Sequence, residues 1–186
     1  MQTGERVALV TMEEYLAAEE QSDVRHEYLG GVVYAMAGTT REHNRLVGNL
    51  YKNIDRHLGS GPCKLFMTDI RVNFDVLHDE YFYYPDLVVT CDPRDNHPRF
   101  VRQPKLIIEV LSPGTERVDR REKFFAYQNI HSLEEYVLIG QESKEATIFR
   151  RADGWGSQKI SGPDASVTFA SLAFNLPLAA IYEGVG

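Results

Sequence analysis

The apolar positions of the chain change period several times, and each change marks an element. Leu46, Val47, Leu50, Ile54 and Leu58 recur at helical spacing, which predicts an amphipathic helix capped by Thr40 and ending near Leu58-Gly59. Thr11-Met12-Glu13-Glu14 forms a capping box, with Thr11 as N-cap, and opens a shorter helix through about Glu20. Between the two, His26 to Met36 reads as a hairpin turning at Gly30-Gly31. Ile70, Val72 and Phe74 alternate as a strand. Two apolar runs follow, Tyr84 to Val89 and Leu106 to Leu111, separated by Asp92 to Gln103, a stretch with two prolines that reads as a surface loop. Arg117 to Asn129 reads as a helix, and Glu135 to Ile139, Ala146 to Arg150 and Trp155 to Ile160 as strands. Pro177 starts a last helical turn through Tyr182. This order predicts the α/β or α+β class, a mixed sheet flanked by helices, in a single domain over residues 1–186.

Composition narrows the partners more than the fold. With 43% hydrophobic and 25% charged residues the chain can build a full core, which excludes a disordered protein. A net charge of −7 gives no global basic field, so contact with a polyanion requires positive charge concentrated locally. Cys63 and Cys91 have no zinc-like spacing and imply no disulfide framework. The first ten residues lack a signal-like apolar core and no run reaches membrane-spanning length, so the expectation is a soluble cytoplasmic protein.

The chemistry lies where two apolar runs each carry one acid. Asp86 follows Pro85 in the first run, and Glu109 sits among Ile107, Ile108, Val110 and Leu111 in the second. A carboxylate in such a run is costly unless it is paired, hydrogen-bonded or bound to a cation. Two of them on neighbouring strands would make an oxygen-rich site suited to Mg²⁺ or Mn²⁺. Taken singly, Asp86 also fits a turn and Glu109 a structural salt bridge. Asp119, Lys123 and Tyr127 are spaced i, i+4, i+8 and share one helical stripe. Arg117, Arg120 and Arg121, with Arg94, Arg99, Arg102 and Lys105, offer a candidate phosphate-contacting surface or a solvated face. His43, near a helix start, can cap, line a cleft or pack. Paired carboxylates also serve glycoside hydrolysis, but Trp155 is the single tryptophan available for a sugar platform.

Pro85-Asp86 followed by Glu109-Val110-Leu111 resembles the core of the PD-(D/E)xK nucleases. The segments His26-Glu27-Tyr28-Leu29-Gly30-Gly31, Glu109 to Thr115, Asp119 to Tyr127 and Glu134-Glu135-Tyr136 narrow the resemblance to the Uma-two family of restriction-endonuclease-like domains, over roughly Met12 to Ile139. The resemblance implies a metal-dependent nuclease, its substrate DNA, acting as a homodimer. It implies an acidic cluster of Glu27, Asp86 and Glu109, with Asp86, Glu109 and the Val110 carbonyl as the Mg²⁺ or Mn²⁺ ligands. One position departs from the pattern: Leu111 stands where the superfamily lysine is expected. Lys123, one helix later, is the expected substitute. The alternative is a degenerate nuclease fold that binds nucleic acid or a protein partner without cutting, and both Leu111 and the acidic balance favour it.

Overall fold

The computed structural model describes residues 9–36 and 38–185. Residues 1–8, most of the stretch in which no signal-like core was read, lie outside them. Helix α1 (Met12–Glu19) begins with the expected capping box: Glu14 N–H donates to Thr11 Oγ1 and Thr11 N–H to Glu14 Oε2. Strands β1 (His26–Leu29) and β2 (Val32–Ala35) form the hairpin at Gly30-Gly31, both glycines at positive φ. Helix α2 (Arg41–Leu58) is capped by Thr40, whose hydroxyl accepts from His43 N–H.

Nine strands follow α2 before α3 and after it. They are β3 (Lys64–Met67), β4 (Arg71–Val76), β5 (Asp79–Tyr83), β6 (Leu87–Thr90), β7 (Phe100–Val101) and β8 (Pro104–Leu111), then β9 (Glu135–Gly140), β10 (Glu145–Arg150) and β11 (Ser157–Ser161). A two-stranded hairpin, β12 (Ser166–Phe169) and β13 (Phe174–Pro177), precedes α4 (Leu178–Ile181). Between β8 and β9 lie a π-helical segment (Val118–Lys123) and α3 (Phe124–Tyr127).

The strands make two larger sheets rather than the one expected. A five-stranded sheet has the order β2-β1-β5-β4-β7 and a six-stranded sheet the order β11-β10-β9-β8-β6-β3. Both are mixed: β8 and β9 run parallel, as do β4 and β7, while the other pairs are antiparallel. This is a mixed α/β architecture.

Alternation along β8 explains the layering. Leu106, Ile108 and Val110 face α2, packing on Leu46, Leu50 and Ile54 and on the C-terminal hairpin. Ile107 and Leu111 face the other way, onto Ala126 and Tyr127 of α3 and onto Val72, Phe74 and Tyr83 of the five-stranded sheet. Burial on both faces accounts for the near-continuous apolar run of β8. Beyond the five-stranded sheet, Tyr15 of α1 stacks on Tyr28 with ring centroids 5.0 Å apart. Cys63 and Cys91, which bracket the antiparallel β3–β6 pair, are joined by a disulfide, a correction to the sequence reading. No helix among the described residues is long and apolar enough to cross a membrane.

Candidate active site

The register of β6 against β8 places the two acids together. Leu87 pairs with Ile108, so Asp86, one residue before the strand, comes opposite Glu109. The strand begins at Leu87, because the Asp86 carboxylate takes over a main-chain contact. Val110 N–H donates to Asp86 Oδ2 (2.7 Å), and Asp86 N–H donates back to Glu109 Oε2 (3.2 Å). Glu109 therefore shares the face of Ile107 and Leu111, toward α3 and the second sheet.

The third acid arrives from that second sheet. Tyr28 packs outward against α1, so its neighbour Glu27 points inward, toward the six-stranded sheet. Glu27 Oε1 accepts from Tyr84 N–H (3.2 Å) and lies 3.0 Å from Lys123 Nζ. Lys123 also lies 3.1 Å from Glu109 Oε1 and 3.5 Å from Asp119 Oδ1. The structure thus brings together Glu27, Asp86, Glu109 and Lys123. Leu111 stays in the apolar core, and the ammonium comes from the π-helical segment, an irregularity that often accompanies functional sites. Tyr127 OH completes the surroundings, donating to Glu109 Oε1 at 3.3 Å.

Lys123 (6% exposed), Glu109 (3%) and Asp119 (2%) are all removed from solvent. Burial raises the Glu109 carboxyl well above its ordinary range; Lys123 opposes the rise, while Asp119, Asp86 and Glu27 add to it. Asp119 is raised for the same reason, burial first. Burial pulls the other way on Lys123, but the charges of Glu109, Glu27 and Asp119 outweigh it and hold the ammonium firmly protonated. His43 Nε2 lies 3.2 Å from Asp86 Oδ2. Sequence reasoning did not place Asp119 in the cluster, although its i, i+4 spacing from Lys123 was the available signal. It left the role of His43 open.

The donor set is the oxygen-rich one that suits a hard divalent cation. Asp86 Oδ1 makes no hydrogen bond among the described residues and its side chain is partly exposed, and Glu109 Oε2 is held in place by a main-chain N–H. Glu109 Oε1, however, is engaged by Lys123 and Tyr127. Among the described residues no three His, Cys, Asp or Glu side chains form a group able to hold a metal. The fit therefore rests on Asp86, Glu109 Oε2 and the main chain at Val110.

The arginine surface expected from the sequence is largely neutralised. Arg94 pairs with Asp92, Arg99 with Glu20, Lys105 with Glu134, Arg117 with Glu122 and Arg120 with Glu116. Arg102 donates to Asn73 and lies over the Phe100 ring. Arg121 is exposed.

Fold and cluster together define a restriction-endonuclease-like domain. The chain belongs to the Uma2 family, described as "Putative restriction endonuclease", which it matches over residues 12–179. It is similar to two Synechocystis proteins, both described as uncharacterized. One, slr1290, is 34% identical over 93% of this chain and 91% of that protein. The other, sll1609, is 31% identical over 87% of this chain and 93% of that protein. A crystal structure described as a putative nuclease belonging to DUF820, from Anabaena variabilis, shares the fold, with a TM-score of 0.76. That likeness covers 93% of this chain and 97% of the other at 17% identity.

Proposed function

We propose that the chain is a metal-dependent nuclease that hydrolyses phosphodiester bonds in DNA, acting as a homodimer. The observation that carries this reading is Lys123. Its ammonium stands 3.1 Å from Glu109 and 3.0 Å from Glu27 while the expected lysine position, Leu111, packs in the core. A buried cation delivered from another element to a cluster of acids is what a site handling phosphate charge requires.

Asp86, Glu109 and the Val110 carbonyl would hold Mg²⁺ or Mn²⁺. When bound, such an ion supplies a water of lowered pKa and stabilises charge on the scissile phosphate. Lys123, kept protonated by its carboxylates, faces the developing negative charge. Glu27 accepts a hydrogen bond from an attacking water and orients it. Tyr127 and the Asp86 N–H fix the two oxygens of Glu109. A homodimer follows from one site per chain and two strands per duplex.

The test is incubation of purified protein with plasmid and with single-stranded DNA and RNA, in Mg²⁺, Mn²⁺ or EDTA. The expected result is nicking or linearisation of DNA with metal, none in EDTA, and none by Asp86→Asn. Absence of cleavage under every metal condition overturns the proposal. A second reading, binding without cutting, is favoured by the threefold pairing of Lys123, which already satisfies the acids without a metal. Calorimetry with Mn²⁺ separates the two, since the non-catalytic reading expects no binding heat.

A further inference from the structure

We propose that His43 is a nitrogen ligand to the divalent ion of this site and biases it from Mg²⁺ toward Mn²⁺. The inference rests on the metal-dependent reading above and adds a donor from α2, an element that contributes no other residue to the cluster.

The position of the ring is set by the chain itself. His43 is the third residue of α2, and its own N–H is the one held by the capping Thr40 hydroxyl. That first turn presents the imidazole to the start of β6, where Nε2 comes 3.2 Å from Asp86 Oδ2. Adjacent ligands on an octahedral ion with bonds near 2.1 Å are separated by about 3 Å, so the two atoms already have the spacing of neighbouring ligands. The Val110 main chain also favours the charged form of the ring, so the same nitrogen faces both Asp86 and Val110. The spot filled by a histidine proton is bordered by two of the groups that the sequence assigned to the metal.

The other ring nitrogen argues against a purely structural role. His43 is 9% exposed, and Nδ1 is buried with no hydrogen-bond partner. An imidazole kept for the fold uses both nitrogens, as buried polar atoms generally do. The bias in metal choice follows from the donor type. Mg²⁺ is a hard ion that takes oxygen, whereas imidazole nitrogen is a good ligand for first-row transition ions.

Mn²⁺ bound to the full chain can be read directly by pulsed electron paramagnetic resonance, without reference to cleavage. The expected spectrum shows coupling to a directly bound nitrogen, which changes when the protein carries ¹⁵N-labelled histidine; this needs no substitution. In His43→Asn, the coupling is lost and Mn²⁺ affinity by calorimetry falls about tenfold or more. Mg²⁺ affinity falls less, so the preference between the two ions narrows. Bound Mn²⁺ without nitrogen coupling, or an unchanged preference in His43→Asn, overturns the inference and leaves His43 as a hydrogen-bond partner of Asp86. Such a result alongside metal-dependent cleavage leaves the nuclease reading standing. Nitrogen-coupled Mn²⁺ in a protein that cuts no nucleic acid supports the ligand and overturns the nuclease reading instead. Failure to bind Mn²⁺ at all overturns the inference.

Discussion

Two glutamates on neighbouring strands, Glu109 on β8 and Glu135 on β9, are buried to almost the same degree, 3% and 2% exposed, yet sit in opposite kinds of surroundings. Glu135 lies on the α2 face, at the end of the sheet away from Glu109. Its Oε1 accepts from Arg150 Nε (2.8 Å) and Ala170 N–H (3.0 Å), and its Oε2 from the N–H and hydroxyl of Ser171. One cation meets one anion, with main-chain donors filling the remaining acceptor sites. Around Glu109, one lysine serves three carboxylates, and Asp119 Oδ1 is left without a hydrogen bond. Burial of an acid is therefore no sign of chemistry by itself. What distinguishes the Glu109 site is charge that the protein leaves unbalanced, and imbalance of this kind is what a bound cation can relieve.

The sharpest break in the comparison is to remove each acid in turn. Glu135→Leu strands Arg150 and two main-chain N–H groups, and should cost about 3–5 kcal/mol in denaturant unfolding. Cleavage per folded molecule should not change. Lys123→Met should lower cleavage about a hundredfold or more, the scale of one lost electrostatic stabiliser, while metal affinity changes much less. It should also expose a pH dependence. Glu109 and Asp119 are raised by burial, with Lys123 the chief influence lowering them. A carboxyl raised in the folded state contributes stability that is complete below its ordinary pKa of 4.5 or 3.8 and is lost as pH rises through the folded value. Without the ammonium that loss deepens, so the melting-temperature deficit of Lys123→Met should be larger at pH 8 than at pH 5.

Glu109→Gln should behave unlike Glu135→Leu. Removing one of several crowded charges relieves repulsion and desolvation, so the melting temperature should hold or rise while Mn²⁺ binding disappears in calorimetry. A clear fall in melting temperature would make Glu109 a second structural acid and dissolve the contrast. The smallest expected effect is Tyr127→Phe. Losing its 3.3 Å hydrogen bond to Glu109 should cost about 1 kcal/mol of stability and leave the metal in place.

Much of this could be read from the chain. The capping boxes, the Gly-Gly hairpin, the α2 stripe and the apolar runs around Asp86 and Glu109 carry local signals, and local signals suffice for single elements. β5 was not read because its entry turn is disguised: Leu77 and His78 both adopt positive φ, at 51° and 78°, without glycine or asparagine to announce it. Missing β5 hid the second sheet, since β5 joins the hairpin to β4. The helix read over Arg117 to Asn129 is π-helical through Lys123, a winding that side-chain period does not distinguish over so short a span. Glu27, Asp86, Glu109 and Lys123 were singled out with the help of family resemblance. The contacts of Asp119 and His43 depend on how layers stack, which no local pattern encodes. The arginines misled because their carboxylate partners lie both near and far in sequence: Glu116 is four residues from Arg120, but Glu20 is far from Arg99.

The position of Lys123 in the chain has a consequence for synthesis. Glu27, Asp86 and Glu109 all emerge from the ribosome before it, and among the described residues it is the lysine that pairs with Glu27, Glu109 and Asp119 together. A nascent chain that has reached β8 but not the π-helical segment carries three acids meant for one crevice and lacks their counter-charge. At neutral pH such an intermediate keeps its two sheets apart by its own repulsion. The docking of the sheets is thereby tied to the arrival of a single ammonium, which works as a completion signal written into the order of the sequence.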